Sequence, residues 1–314
     1  MAEPCDMTRI YPAAGAPRIR ATHRGIGQRP PATYPHRTRV RLRRVRRATD
    51  WGIVVNSHRF ERIRNLRDLG GRVTPDGRRV VKRRLFRSGS LHEITDEDRS
   101  ALEALGIRTV IDLRSEWERR HQPDEWPGVR IVSAPLVDDQ LVASINARFE
   151  AGTIPSEELA DWWQLTRVFQ APEEHTSSVR VIFDTLLETG PDDAVLFHCR
   201  GGKDRTGMVA ALVLEALAVT REETLADFMR SNGVADDKGV RGELAAIIAQ
   251  VGGSSWSDEA ILSLTGVRRE WLDTLFHRIE DRYGSVTRYL TDHVGIGDRG
   301  IARLREIYLE PAGD

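Results

Sequence analysis

Two hydrophobic periods alternate along this chain, and the switch between them marks its elements. Short, mostly apolar runs bounded by turn residues predict buried strands at Leu85 to Ser88, Ile107 to Leu113, Val129 to Leu136 and from Val195 to His198. Asp76-Gly77 lies between Arg72-Val73-Thr74 and Arg79-Val80-Val81, the short-range mark of a hairpin turn. Helical spacing fills the intervals. Thr95 with Asp98 predicts a capped helix that carries Leu102 and Leu105 and stops at Gly106. Further helices are expected over Ile145 to Gln170, Val179 to Leu187, Met208 to Val219 and, after a Thr220 cap, Arg221 to Arg230. The last third repeats the pattern at Leu244 to Ala249, Asp258 to Leu264, Leu272 to Tyr283, Val286 to His293 and Gly300 to Leu309. Strands alternating with helices argue for an α/β fold: a central, mostly parallel sheet flanked by helices, with extra C-terminal helices.

Before residue 50 neither period is found. Six prolines stand among arginines up to Pro35, so residues 1–50 read as a disordered Arg/Pro-rich extension and residues 55–312 as one catalytic domain. The extension has twelve arginines and no lysine against three acidic residues, a surplus of nine that the rest of the 314-residue chain cancels with 35 basic and 44 acidic side chains. It has few aromatic rings on which bases could stack, so no specific nucleic-acid partner is expected. With Cys5 and Cys199 alone there is no disulfide framework, which fits a reducing compartment. The N-terminus lacks the apolar core of a secretory signal. The most apolar run, Met208 to Val219, is too short to span a bilayer and contains Glu215. A cytoplasmic location is expected, with signal-less export left open and oligomeric state unread.

The candidate chemistry lies in Val195-Leu196-Phe197-His198-Cys199-Arg200-Gly201-Gly202-Lys203-Asp204-Arg205-Thr206-Gly207. A strand ends at a cysteine, a glycine-bearing turn follows, and an arginine opens an apolar helix. Backbone amides of such a turn and the positive end of the helix dipole suit a dianionic phosphoryl group. Arg205 adds a planar fork for two of its oxygens, with the amides from Arg200, Gly201 and Gly202 onward completing the cradle. The same field favours a thiolate at Cys199, which makes it the candidate nucleophile for phosphoryl transfer through a phosphocysteine.

These residues resemble the signature of the cysteine-dependent protein tyrosine phosphatases: His198-Cys199, five residues, Arg205, Thr206. The fuller form from His198 to Gly207 is similar to a bacterial branch, mycobacterial members included, whose loop carries Gly-Lys-Asp-Arg-Thr-Gly and some of whose members act on lipids. Asn65 to Gly71, Phe86 to Leu91, Asp112 to Ser115 and Tyr283 to Leu290 also resemble that branch, so the likeness runs over roughly residues 58–310.

The resemblance implies a cysteine phosphatase fold of the dual-specificity kind and a protein tyrosine phosphatase, with phosphotyrosine proteins as the first substrate and phosphoinositides as the alternative. It implies that His198 orients the loop, that Thr206 helps the sulfur leave, and that Lys203 is a cation at the pocket mouth that could read a second phosphate. For the general acid it offers Asp204, favoured in this branch, and Asp138, which follows Ala134-Pro135-Leu136-Val137 in the place of the mobile-loop aspartate of most relatives. Asp112 and Arg114, at the carboxyl end of a strand where ligands of open sheets bind, join the substrate-binding set as supports of the loop, while Arg67 and Asp68 are expected to be structural. The segment from about Ser231 to Gly266 is expected to form either a helical lid, as the resemblance implies, or a plain helical packing layer. The mechanism implies no metal and no cofactor. A phosphate-binding module without catalysis remains the reading from another class.

Overall fold

The computed structural model describes residues 53–55, 58–60, 62–151, 167–235 and 265–311. The expected extension over 1–50, the helices at 244–249 and 258–264, most of the lid segment and residues 152–166 lie outside them.

A five-stranded sheet carries the site. Its strands are β3 (Arg67–Asp68), β5 (Leu85–Ser88), β8 (Ala194–His198), β6 (Ile107–Asp112) and β7 (Arg130–Ser133), side by side in that order; β3 runs antiparallel and the others are parallel. Two small sheets stand apart: β1 (Ile53–Val55) with β2 (His58–Phe60), and β4 (Arg79–Val80) with β9 (Leu309–Glu310). The expected turn at Asp76-Gly77 forms, with Gly77 at φ 85° and its amide bonded to Thr74 O at 2.9 Å. Residues 72–74, however, join Arg79 by a single bridge, and β4 pairs as a strand with the C-terminal β9. Leu309 therefore ends in a strand, where helical spacing had run on through it.

Strand β8 is buried at every position, as the middle of a parallel sheet requires. Its side chains alternate between two cores. Val195 and Phe197 face a large cluster with Leu85 and Ile111, while Ala194 and Leu196 face a smaller one with Phe86, Ile107 and Val110. Each fully buried side chain of this size contributes about 1.5–3 kcal/mol. The edge strand β7 is mostly exposed and ends at Ser133, short of the expected Leu136.

Helices cover both faces. On the smaller core lies α1 (Asp96–Ala104), with a Thr95/Asp98 capping box and a stop at Gly106, φ 84°. Then come α2 (Glu116–His121), α3 (Asp139–Glu150) and α4 (Thr176–Glu188). Helix α5 (Asp204–Ala216) follows β8 and is buried on nearly all sides. Next is α6 (Arg221–Met229), capped by Thr220 as expected, then α7 (Arg269–Tyr283) and α8 (Gly297–Tyr308). The stretch expected as one helix from Val286 to His293 starts as an α turn and widens into a π turn at Tyr289. Among the described residues no helix is long and apolar enough to cross a membrane.

Candidate active site

At the carboxyl end of β8 the chain turns sharply before α5. Gly202 makes that turn: its φ is 68°, and a Cβ there would lie 2.4–2.6 Å from backbone atoms of Ser88 and Gly89. Only glycine fits both the angle and the space. Cys199 is 2% exposed, and its Sγ accepts the Gly202 amide at 3.3 Å. No side chain caps the start of α5, so its first amides are left for a ligand.

The loop carbonyls reveal where the other amides point. In a trans peptide the C=O of one residue and the N–H of the next point in opposite directions, and no described peptide is cis. Arg200 O accepts from Ser90 N at 3.0 Å. Gly202 O accepts from Asn65 Nδ2 at 2.7 Å and Arg87 Nη2 at 2.9 Å. Lys203 O accepts from Gly207 N at 2.9 Å and Arg87 Nη2 at 3.3 Å. Each carbonyl is held outward by a fixed donor, so the amides of Gly201, Lys203 and Asp204 face the other way. With Gly202 N already on the sulfur, the loop forms a nest of amides beside Cys199.

Arg205, in the first turn of α5, donates from Nη1 to Glu118 Oε2 at 2.6 Å and from Nη2 to Glu118 Oε1 at 2.9 Å. Burial by itself disfavours the Arg205 charge, but Glu118 above all overturns that and raises its pKa above the ordinary arginine value. Glu118 is opposed by burial in the same way, and Arg205 together with the Ser115 amide lowers its pKa. Sequence reasoning passed over Glu118. Its signal was Ser115-x-x-Glu118, a capping box that starts α2 and fixes the carboxylate through Ser115 N at 2.9 Å.

His198 is fully buried beneath the loop. Its Nδ1 lies 3.2 Å from Cys199 O, and its Nε2 pairs with Asp124 Oδ2 at 3.0 Å, off the hydrogen-bond direction. Burial pushes the imidazole down, but Asp112 and Asp124 outweigh it and raise its pKa. Asp112, Asp124 and His198 are close enough to surround a cation. That place is filled by the Arg114 guanidinium, 2.7 Å from Asp112 and 2.6 Å from Asp124. Arg114 also reaches Ser90 Oγ and Gln122 O. Asp112 and Arg114 are each 1% exposed and are bonded to each other within this buried group.

Lys203 does not sit at an open mouth. It is 6% exposed, its Nζ is 2.7 Å from Asp204 Oδ2, and the ammonium lies 5.6 Å from the centre of the Trp271 ring. The neighbouring carboxylate draws the charge in and the indole covers it. Arg200 keeps an exposed side chain, and Gly201 is exposed at the tip. Thr206 is fully buried, its Oγ1 without a hydrogen-bond partner. Asp138 is exposed, and its Oδ1 caps α3 by accepting Leu141 N at 2.8 Å.

The structural role expected for Arg67 extends to a group the sequence did not bring together. Arg67 Nε, Arg72 Nη2 and Arg87 Nη1 meet the Asp227 carboxylate at 2.9, 2.5 and 2.7 Å. Asn65, at φ 55°, hands one amide proton to Gly202 O and accepts from Arg67 through Oδ1. Asp68 holds the Gly70 and Arg83 amides.

Strand, amide nest, buried cysteine and paired arginine converge on the loop between β8 and α5. The family model described as "tyrosine phosphatase family" matches residues 58–310. A Cupriavidus necator protein bearing a tyrosine-protein phosphatase name is 32% identical over 255 residues, covering 80% of this chain and 87% of that protein. The triple specificity protein phosphatase PtpB of Mycobacterium tuberculosis is also 32% identical, over 72% of this chain and 91% of its own length. The crystal structure of TpbA from P. aeruginosa aligns with 62% of this chain and 95% of its own, at 16% identity and a TM-score of 0.27. The chain belongs to the tyrosine phosphatase family, and it is a phosphatase.

Proposed function

We propose that the protein hydrolyses phosphotyrosine monoesters in proteins through a phosphocysteine. One observation carries this reading: Cys199 Sγ lies within the amide nest, bonded to Gly202 N at 3.3 Å, with Arg205 in the first turn of the helix behind it. A phosphoryl group in the nest has its oxygens on the loop amides and the Arg205 fork. The Cys199 thiolate attacks phosphorus, the bond from phosphorus to the ester oxygen breaks, and the leaving oxygen takes a proton from Asp204. Water then attacks the phosphocysteine and gives its proton to Asp204, so that inorganic phosphate leaves and the thiolate returns. Arg205 and the amides hold the charge that spreads over the equatorial oxygens.

The remaining residues are assigned by position. His198, with Asp112, Arg114 and Asp124, braces the base of the loop, and Thr206 Oγ1 is a donor for the departing sulfur. The phosphoinositide alternative is not favoured, because Lys203 is buried with the Trp271 ring beside its ammonium. Asp138 keeps second place as the acid: it caps α3, while Asp204 lies in the turn between Cys199 and Arg205 itself.

The test is kcat/KM for a phosphotyrosine peptide, a phosphoserine peptide and a soluble monophosphorylated phosphoinositide, with Cys199→Ser as the blank. Preference for the tyrosine peptide, together with phosphate trapped on Cys199 by rapid acid quench, is the expected result. Preference for the lipid headgroup overturns the substrate assignment. Turnover that survives Cys199→Ser overturns the mechanism.

A further inference from the structure

Arg87 lies on β5, opposite Phe197 of β8, and is 0% exposed. One Nη donates to Asp227, while the other reaches both Gly202 O and Lys203 O. Its partner Asp227, 1% exposed, is shared with Arg67 and Arg72, so a single carboxylate touches three guanidinium groups. Burying a charge costs several kcal/mol unless it is paired, and an ion pair built only to hold β5 to α6 would need one arginine. Of the three, Arg87 is the one that donates to the loop carbonyls. Burial, and then Arg67, push the Arg87 pKa down to about 9, with Asp227 working against them.

We propose that Arg87 is a positioning residue for catalysis: by holding the Gly202 and Lys203 carbonyls outward it aims the Lys203 and Asp204 amides at the phosphoryl oxygens. The inference rests on the reading of this loop as the phosphoryl site. Peptide planarity ties each amide to the carbonyl before it, so freeing the two carbonyls lets both donors turn. Asn65 holds the first of these carbonyls a second time, and its positive φ lets glycine replace it without backbone strain.

The experiment measures inorganic phosphate binding by calorimetry to the Cys199→Ser protein, alone and combined with Arg87→Lys or Asn65→Gly, beside steady-state kinetics of the two substitutions in the active enzyme. Lysine keeps the charge but cannot reach Asp227 and both carbonyls together. Arg87→Lys is expected to weaken phosphate binding at least tenfold and to lower kcat by about 10²-fold, the scale for loss of an oxyanion donor, with KM rising by no more than the loss in phosphate affinity. Asn65→Gly should move both in the same direction by less. A folded Arg87→Lys protein that binds phosphate as tightly as its parent overturns the inference. Should that variant fail to fold, unchanged phosphate affinity in Asn65→Gly does so instead. If the Cys199→Ser parent itself takes up no phosphate, the reading of the loop falls and the inference falls with it; binding by the parent that neither substitution alters removes the inference alone.

Discussion

Arg205 and Glu118 form a two-pronged ion pair, at 2.6 and 2.9 Å, that links the loop after β8 to the first turn of the helix after β6. The pair holds the guanidinium plane in one orientation before any phosphate arrives. Glu118→Ala is expected to reduce kcat/KM by about 10²-fold, the size of effect that follows when a positioning contact is lost. Steady-state kinetics beside a thermal unfolding curve separates this from loss of fold, and unchanged kinetics in a folded variant would refute it.

Arg205→Lys keeps the charge and loses the planar fork. A fall of 10² to 10³ in kcat, about 2.7–4 kcal/mol of transition-state stabilisation, is expected. Turnover close to that of the parent would remove Arg205 from the centre of the mechanism.

The choice of acid can be read from pH profiles. Asp204→Asn should lower kcat by about 10²- to 10⁴-fold and change the limb that reports the acid. Asp138→Asn should leave that limb in place and at most loosen the start of α3. The reverse pattern would assign the proton to Asp138.

Gly202→Ala meets two obstacles at once, a φ of 68° and a Cβ within 2.4–2.6 Å of backbone. A loss of at least about 1–3 kcal/mol in stability is expected, measured by urea unfolding, with activity lost in whatever fraction stays folded. A variant as stable as the parent would mean that the loop can re-form without its positive φ.

Stability should also depend on pH through Asp227. Burial pushes its carboxyl up, but Arg87, Arg67 and Arg72 together hold it below the ordinary carboxylate range. Its contribution is therefore complete above the unfolded value of about 3.9 and is lost as pH falls below that toward the native value. His198 acts with the opposite sign: its raised pKa gives stability present below about 6.5 and lost as pH climbs through the native value. Urea midpoints from pH 7 downward should fall steeply in acid, and Asp227→Asn, less stable by about 3–5 kcal/mol at neutral pH, should flatten that fall. An acid limb of the same slope in the variant would rule Asp227 out as its source.

Much of this molecule could be read from local sequence. The strands at residues 85, 107 and 194 showed themselves by apolar runs, the helices at 96 and 221 by threonine caps, and the turn from Cys199 to Arg205 by its glycines after a strand. Features that needed partners far along the chain were missed or misplaced. Residue 309 could not announce that it would pair with residue 80, nor Lys203 that Trp271 would cover it. Glu118 was within reach through its capping box, and Asn65 through a motif that carried no stated role.

The sequence by itself determined the local geometry of the loop. Gly202 permits its turn, the run before Cys199 makes a central strand, and the apolar stretch after Arg205 makes a buried helix, all properties of neighbouring residues. Only the tertiary structure decided where the charges settle. It set Glu118 on Arg205 across 87 positions and Arg87 on Asp227 across 140. The physical reason is that a buried charge must find a partner wherever the folded chain places one, and periodicity along the sequence carries no record of that distance.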